Sequence, residues 1–247
     1  MIINQAIMMA GGRGLRMAPI SNYLSKHLIP LYDDKVVIDF PINTLKHLGV
    51  KQLIIVLGSQ HCGQIFEYLK DGKHLGLEII YVYQDQPLGI SHGINLCKSL
   101  IDGNFITILG DNCYQNPIGW EKLDETKHNP HSAMIALTKS SDLHRFGVAS
   151  ISDNKIIKLE EKPKAIDISF NNYAITGCYL FTPEFFNYFE KTKPSLRGEY
   201  EIVSVIQQYL DDDLLSYSII SGWWNDAGSH SSINYIRQLV KTDPVVF

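Results

Sequence analysis

Ile2-Ile3-Asn4-Gln5-Ala6-Ile7-Met8-Met9 running straight into Ala10-Gly11-Gly12-Arg13-Gly14-Leu15-Arg16-Met17 is the stretch that decides the architecture of this chain. The first part is a short, mostly apolar run with β-branched residues, which reads as a strand. It has no basic leader, carries Asn4 and Gln5 inside it, and ends in glycines instead of a cleavage site, so it does not read as a secretion signal. The second part is a glycine-rich turn, in which backbone N–H groups can approach an anion without side-chain obstruction.

Working outward, residues 51–57, 77–83 and 105–109 form further short apolar runs, with helical spacing over residues 40–48, 63–70 and 90–101. This alternation predicts an α/β fold with a doubly wound, mostly parallel, Rossmann-like sheet. The second half changes character. Residues 133–138, 147–151, 156–161, 173–181 and 214–220 read as strands, the second and third joined by the turn Ser152-Asp153-Asn154. They predict a mixed or antiparallel layer added to the first sheet. Helices are expected over 183–190, with Thr182 as N-cap, over 199–210 and over 231–240. No repeat, low-complexity tract or linker divides the chain, so one unit is expected.

At 247 residues and 45% hydrophobic content, the chain can bury roughly 70–75% of its unfolded surface, which excludes a disordered chain and a disulfide-stapled mini-protein. Its 22 Lys+Arg, set against 26 Asp+Glu, are scattered at a net charge of −4, which excludes a nonspecific nucleic-acid binder. No apolar run approaches the ~20 residues that cross a bilayer, so no membrane partner is expected. Cys62, Cys97, Cys113 and Cys178 lie at least 16 residues apart, which fits buried thiols in a reducing cytoplasm better than metal ligation or a disulfide framework.

In an open α/β sheet, ligands sit beyond the carboxyl ends of the strands at the point where strand order reverses, so residues just after strands are where chemistry is sought. The turn Gly11-Gly12-Arg13-Gly14 lacks both familiar nucleotide signatures. Met17 stands where a dinucleotide fingerprint needs glycine, and no Gly-Lys-Ser/Thr follows. Arg16 and, ten residues on, Lys26 bring a planar fork and a point charge to this loop. They suit a polyphosphate, or alternatively close a plain surface turn. Asp111 follows the run 105–109, and Asp226 precedes the last helix. If they converge, they make a magnesium site of two carboxylates; otherwise they solvate a strand end and cap a helix. In Glu160-Glu161-Lys162-Pro163, alternation puts Glu160 and Lys162 on one face and Glu161 on the other. Arg197 opens the predicted helix at 199, solvated or poised over a phosphate.

Taken together, Gly11-Gly12-Arg13-Gly14-Leu15-Arg16, Ser25-Lys26-His27-Leu28-Ile29-Pro30, Gly110-Asp111-Asn112, Glu161-Lys162-Pro163, Asn172-Tyr173-Ala174-Ile175-Thr176-Gly177, Arg197-Gly198-Glu199 and Asp226-Ala227-Gly228 resemble the motifs of the sugar-nucleotide pyrophosphorylases, in order and over about residues 1–235. Within that family the resemblance is closest to the glucose-1-phosphate thymidylyltransferases, in a short form without the C-terminal helical extension that helps build a regulatory site. It implies the nucleotide-diphospho-sugar transferase fold in one domain over 1–247. Residues 1–112 mainly bind nucleotide, 113–228 mainly bind the sugar phosphate, and 229–247 supply a closing helix. The implied reaction is attack by the phosphate of a sugar 1-phosphate, glucose 1-phosphate in the nearest relatives, on the α-phosphorus of dTTP or UTP, releasing pyrophosphate with no covalent enzyme intermediate. The implied cofactor is Mg2+, held by Asp111 and Asp226.

By the same resemblance, Arg16 and Lys26 bind the triphosphate beside Gly11, Gly12 and Gly14, while Gln84 and Gly89 meet the base. Lys162 and Arg197 hold the sugar phosphate, and Asn112, Gly147, Glu161 and Ile175 hold sugar hydroxyls. Arg16, Lys26, Asp111, Lys162 and Asp226 form the catalytic set. A cytoplasmic homodimer or homotetramer supplying nucleotide sugars for polysaccharide synthesis is implied. The sequence departs from the thymidylyl pattern at Leu15, Leu88, His92 and Ala227, and the Leu88-Gly89 form is common among uridylyl and guanylyl relatives. A non-catalytic paralogue that binds sugar nucleotides in a regulatory or assembly role is the alternative. A nicotinamide-dependent oxidoreductase is disfavoured by Met17.

Overall fold

The computed structural model describes residues 3–116, 118–120, 131–245 and 247; the start of the expected first strand at Ile2 lies outside them. Its strands are, in chain order, β1 (Gln5–Met9), β2 (Pro30–Tyr32), β3 (Lys35–Val36), β4 (Gln52–Leu57), β5 (Glu78–Tyr83), β6 (Phe105–Leu109), β7 (Asn112–Tyr114), β8 (Ala133–Thr138), β9 (Gly147–Ser152), β10 (Lys155–Glu161), β11 (Asn171–Phe181), β12 (Leu215–Ile219) and β13 (Trp224–Asp226). The α-helices are α1 (Asp39–His47), α2 (Cys62–Leu69), α3 (Ile90–Asn95), α4 (Glu184–Lys191), α5 (Ile202–Asp211) and α6 (His230–Thr242).

Parallel strands run in the order β5-β4-β1-β6, so strand order reverses between β1 and β6. That reversal leaves a crevice at their carboxyl ends, where the glycine loop and Gly110-Asp111 emerge. Strand β11 joins β6 antiparallel, and β8, β9, β10 and β12 extend the same nine-stranded sheet from there. The second half therefore adds mostly antiparallel strands to the first sheet, as the sequence suggests. Strand β11 serves three neighbours because its pairing with β8 shifts between Ile175 and Tyr179. Gly177 sits in that shift at φ 75°, where a Cβ would lie 2.6 Å from Leu109 Cδ1.

Side-chain alternation divides the core between the two faces of this sheet. Ala6, Met8, Leu53, Ile55, Ile106 and Ile108 pack on one face with Leu45 of α1 and Ile65 and Leu69 of α2. Ile7, Ile54, Val56 and Phe105 pack on the other with Phe185 of α4 and Val205, Ile206 and Tyr209 of α5. A third cluster joins Met17, Ile29 and Phe40 to Ile233, Ile236 and Val240, so α6 clamps the segment after the glycine loop from the far end of the chain. All four cysteines are free. Among the described residues no helix is long and apolar enough to cross a membrane.

Three sequence expectations need correction. The helix over 90–101 stops at Asn95 and continues as a 3-10 turn over Lys98–Leu100, because the Gln5 side chain takes the Leu100 carbonyl at 2.8 Å. The helix over 199–210 begins only at Ile202, because Tyr200 N–H donates to Leu88 O (2.7 Å) and its carbonyl accepts from Ser91 N (3.3 Å). Thr182 supplies no side-chain cap to α4.

The glycine loop depends on a close backbone approach. A Cβ at Gly58 would sit 2.6 Å from Gly11 O, whereas one at Gly63 meets nothing within 4 Å. Gly58→Ala is expected to cost about 1–3 kcal/mol in urea unfolding, because the atom it meets is backbone and cannot rotate away. Gly63→Ala, in an open helical position, is expected to be neutral or stabilising by about 0.5–1 kcal/mol.

Candidate active site

The glycine loop leaves β1 with Ala10 N–H bonded to Val56 O (2.9 Å) and turns at Gly14, φ 64°, into a 3-10 turn over Leu15–Met17. Met17 is buried, so Arg16, beside it on the turn, projects outward with 63% of its side chain exposed. A second 3-10 turn, Lys26–Leu28, lays Lys26 along the loop. A Cβ at Gly12 would lie 3.2 Å from Lys26 Nζ, so the glycine makes room for the ammonium.

Lys26 donates a short hydrogen bond to Asp111 Oδ2. Burial is the strongest single influence and works to raise the Asp111 carboxyl, but the Lys26 charge and hydrogen bond, together with smaller contributions from His27 and the backbone, hold it below the usual carboxylate range. His27, behind Lys26, is buried and contacts Ser25 Oγ through Nδ1 at 3.1 Å. Burial, reinforced by the Lys26 charge, pulls its pKa down to about 3, so it stays neutral.

Asp226 arrives from the opposite end of the chain. Strands β7 and β13 pair antiparallel with Asp226 opposite Asn112, and Ala227 N–H donates to Asp111 O at 2.7 Å. The two aspartates thus flank one point. Arg145 Nη2 donates to both Asp226 oxygens at 2.7 and 2.8 Å, and Arg16 Nη2 lies 3.7 Å from Oδ2. Burial, with the Asp111 charge adding to it, nevertheless pushes the Asp226 carboxyl above its ordinary range. Asn112 joins the two segments: its amide donates to Asp111 Oδ1 (3.0 Å) and its oxygen accepts from Trp224 Nε1 (2.8 Å).

On the far side of this point, Glu161 lies opposite Gly147 in the β9–β10 pair. Lys162 takes φ 47°, so alternation breaks one residue earlier than the sequence suggests. Lys162 Nζ lies 3.1 Å from Glu161 Oε1, and both line one cavity, while Glu160 turns to Lys158. A lysine held in the left-handed region is strained, and such strain clusters at ligand clamps. Arg197 spans Glu161 (3.4 Å) and Glu201 (2.7 Å). It precedes the helix by a short loop instead of opening it.

At the other end, Gln84 is buried at the end of β5. Its amide nitrogen donates to Gly89 O (3.2 Å) and faces His92 Nδ1 (3.0 Å). A Cβ at Gly89, φ 99°, would strike the Tyr200 backbone at 2.7 Å, so only glycine fits there.

Two abutting cavities contain nearly all of these residues. One, of about 270 Å³, is lined by Gly11, Gly12, Lys26, Gln84, Gly89 and Asp111, with Glu199. The other, of about 200 Å³, is lined by Arg16, Asp111, Asn112, Gly147, Glu161, Lys162, Ile175 and Asp226, with Arg145, Phe146 and Trp224. They share Ile90, Leu109 and Asp111. Gly14 and Arg197 stand outside both linings; Gly14 packs against Ser21 and Lys26, and Arg197 reaches the second cavity through Glu161. The nucleotidyl transferase family model matches residues 5–242. The chain belongs to that family.

It is 32% identical over 242 residues to the low-salt glycan biosynthesis nucleotidyltransferase Agl11 of Haloferax volcanii, covering 97% of this chain and 66% of that protein. It is 30% identical over 242 residues to a glucose-1-phosphate thymidylyltransferase of Neisseria meningitidis, covering 96% and 83%. A crystal structure of a Bacillus anthracis protein provisionally assigned as a glucose-1-phosphate thymidylyltransferase, in complex with sucrose, superposes with TM-score 0.89 at 34% identity. It covers 99% of this chain and 97% of that one.

Sequence reasoning missed Arg145, which the structure sets on Asp226. Its only signal was adjacency to Phe146-Gly147, just ahead of a strand. The donor chemistry around Asp226 and Asp111 suits a hard divalent cation: two carboxylates meet, each already drawing a protein cation, and the charge of one raises the other.

His27 gives a pH signature. Below its unfolded pKa near 6.5 the unfolded chain binds a proton that the folded chain refuses until about pH 3, so this residue lowers stability as pH falls through that window. His27→Gln is expected to flatten the acid limb by up to roughly 1.4 kcal/mol per pH unit, read as the difference in urea-unfolding free energy between variant and wild type from pH 7 to 4.5.

Proposed function

We propose that this protein catalyses Mg2+-dependent transfer of a nucleotidyl group from dTTP or UTP to glucose 1-phosphate or a related hexose 1-phosphate, giving a nucleotide sugar and pyrophosphate. The observation that carries this reading is the meeting of two cavities at Asp111, with Asp226 lining the second beside it and Lys26, Arg16, Arg145 and Lys162 around them.

In this reading the first cavity takes the nucleotide. The open backbone of Gly11, Gly12 and Gly14 lets the triphosphate approach closely, with Lys26 as its cation there and Arg16 reaching it from the lining of the second cavity. Gln84 and Gly89 face the base. The second cavity takes the sugar 1-phosphate, with Lys162 and Arg197 neutralising its phosphate and Glu161, Asn112, Gly147 and Ile175 meeting hydroxyls through side chains and backbone. This division of labour runs along one sheet, residues 1–112 serving mainly the nucleotide and 113–228 the sugar. Asp111 and Asp226 would hold Mg2+, which when bound offsets charge on the phosphate oxygens. The protein's remaining work is alignment: two polyanions must be brought together against their mutual repulsion, with the sugar phosphate oxygen in line with the α-phosphorus. No side chain need act as a covalent nucleophile.

Asp111→Asn keeps the shape of the side chain while removing its charge. It is expected to lower pyrophosphate release from dTTP plus glucose 1-phosphate by about a thousandfold or more with an unchanged far-UV CD spectrum. Wild-type turnover in this variant would sink the metal role. A panel of four nucleoside triphosphates against glucose, galactose and mannose 1-phosphates is expected to give the highest kcat/KM with a pyrimidine triphosphate and glucose 1-phosphate.

A further inference from the structure

We propose that Arg145 is an exchangeable counter-ion, which neutralises Asp226 while no metal is bound and is handed to the phosphate of the sugar 1-phosphate when a divalent cation takes that carboxylate. The inference rests on the reading of Asp111 and Asp226 as metal ligands.

The geometry of the pair carries it. One guanidinium nitrogen, Arg145 Nη2, contacts both Asp226 oxygens at 2.7 and 2.8 Å. It therefore sits on the face of the carboxylate between its two oxygens, the side a chelating cation takes, so a cation that binds there displaces the guanidinium. Little else detains it. Its Nε lies 3.9 Å from Asp142 Oδ2, its guanidinium carbon stands 5.1 Å from the centre of the Phe146 ring, and the side chain is 30% exposed. Lys26, the corresponding partner of Asp111, is only 13% exposed and wedged against Gly12 and Gly14. Arg16, the second cation on Asp226, stands farther off at 3.7 Å, so of the two cations hydrogen-bonded to the aspartates Arg145 is the less enclosed.

Its destination is set by position. Arg145 lines the cavity that also holds Arg16, Glu161 and Lys162, and it borders a second, outer hollow shared with Phe146 and Trp224. A guanidinium released from Asp226 faces the space next to Lys162, where its planar fork suits a phosphate. The charge arithmetic runs the same way. A divalent cation brings two positive charges to two carboxylates, which frees their protein partners just as two polyanionic substrates must be brought together. The exchange orders binding: metal arrival raises the affinity of the cavity for the sugar phosphate, and by linkage the sugar phosphate favours metal binding.

The test uses Arg145→Gln, which retains the stem against Phe146, and Arg145→Ala, with Mn2+ as probe. Free Mn2+ is followed by electron paramagnetic resonance in titrations of the full chain without substrates. Both variants are expected to bind Mn2+ roughly tenfold more tightly than wild type, the size of one charge-assisted hydrogen bond removed from competition. Both are also expected to show a roughly tenfold higher KM for glucose 1-phosphate with a smaller change in kcat. Mere structural damage would weaken Mn2+ binding, the opposite sign. Unchanged or weaker Mn2+ binding in both variants overturns the counter-ion role, and tighter Mn2+ binding with an unchanged KM overturns the hand-over. Asp226→Asn separates the two layers. If it abolishes Mn2+ binding while the Arg145 variants match wild type, only this inference fails; if Mn2+ binding is indifferent to Asp226→Asn, the metal site itself fails and takes the inference with it.

Discussion

Asp111 and Asp226 reach one point from distant parts of the chain because the β7–β13 pair and the bond from Ala227 N–H to Asp111 O leave their side chains nowhere else to go. The two carboxylates line one cavity, and the charge of Asp111 works against ionisation of Asp226. The burial of both sharpens the conflict, and the raised Asp226 carboxyl records what Arg145 and Arg16 leave uncompensated. The surroundings answer this one constraint. Lys26 is laid onto Asp111, Gly12 stays small to admit it, Arg145 reaches across from the start of β9, and α6 pins the segment that carries Arg16. A site with this imbalance is primed to take up positive charge and then to offer its own cations to anions.

The two halves of the cleft are coupled by backbone as well as by charge. Strand β11 passes from β9 to β6 through the irregularity at Gly177, so the wall bearing Ile175 is continuous with the strand beside Asp111. The segment carrying Arg197 and Glu199 is tied at Tyr200 to the turn of Leu88 and Ser91 that carries Gly89. Arg197 and the turn that carries Gly89 therefore ride on one hydrogen-bonded unit.

Much of this was legible in the sequence. The β1, β4, β5 and β6 runs, the glycine loop and the strand-end position of Asp111 all announce themselves by periodicity or by glycine, because local sterics write them. What escaped was set by contacts between distant segments. Strands β2, β3, β7 and β13 have only two or three residues each, too few to show a period, yet the last two bring Asp226 to Asp111. The late start of α5 comes from the pairing of Tyr200 with Leu88, and the left-handed Lys162 from its bond to Phe146 O at 3.0 Å. Arg145 was invisible for a related reason: an arginine before a strand has many uses, and only the fold shows which carboxylate it meets.

The departures from the thymidylyl pattern can be weighed the same way. At position 88 it is the carbonyl that accepts from Tyr200, so a leucine side chain leaves that tie intact. Position 92 is different, because the side chain itself is used. A carbonyl only accepts, so it is the amide nitrogen of Gln84 that faces Gly89 O, and the same nitrogen meets His92 Nδ1. Burial holds the His92 pKa down, which favours the neutral ring, and in the tautomer with an unprotonated Nδ1 that atom accepts from the Gln84 amide. With both amide hydrogens engaged, Gln84 has only its oxygen left to offer. In the nucleotide reading proposed above, an acceptor in that position would suit the ring N–H of thymine, uracil or guanine, and such a contact leaves the thymine methyl group unread. Under that reading His92 disfavours adenine and cytosine, which lack a ring N–H, and selection between thymine and uracil would have to come from the space around the pyrimidine C5 position.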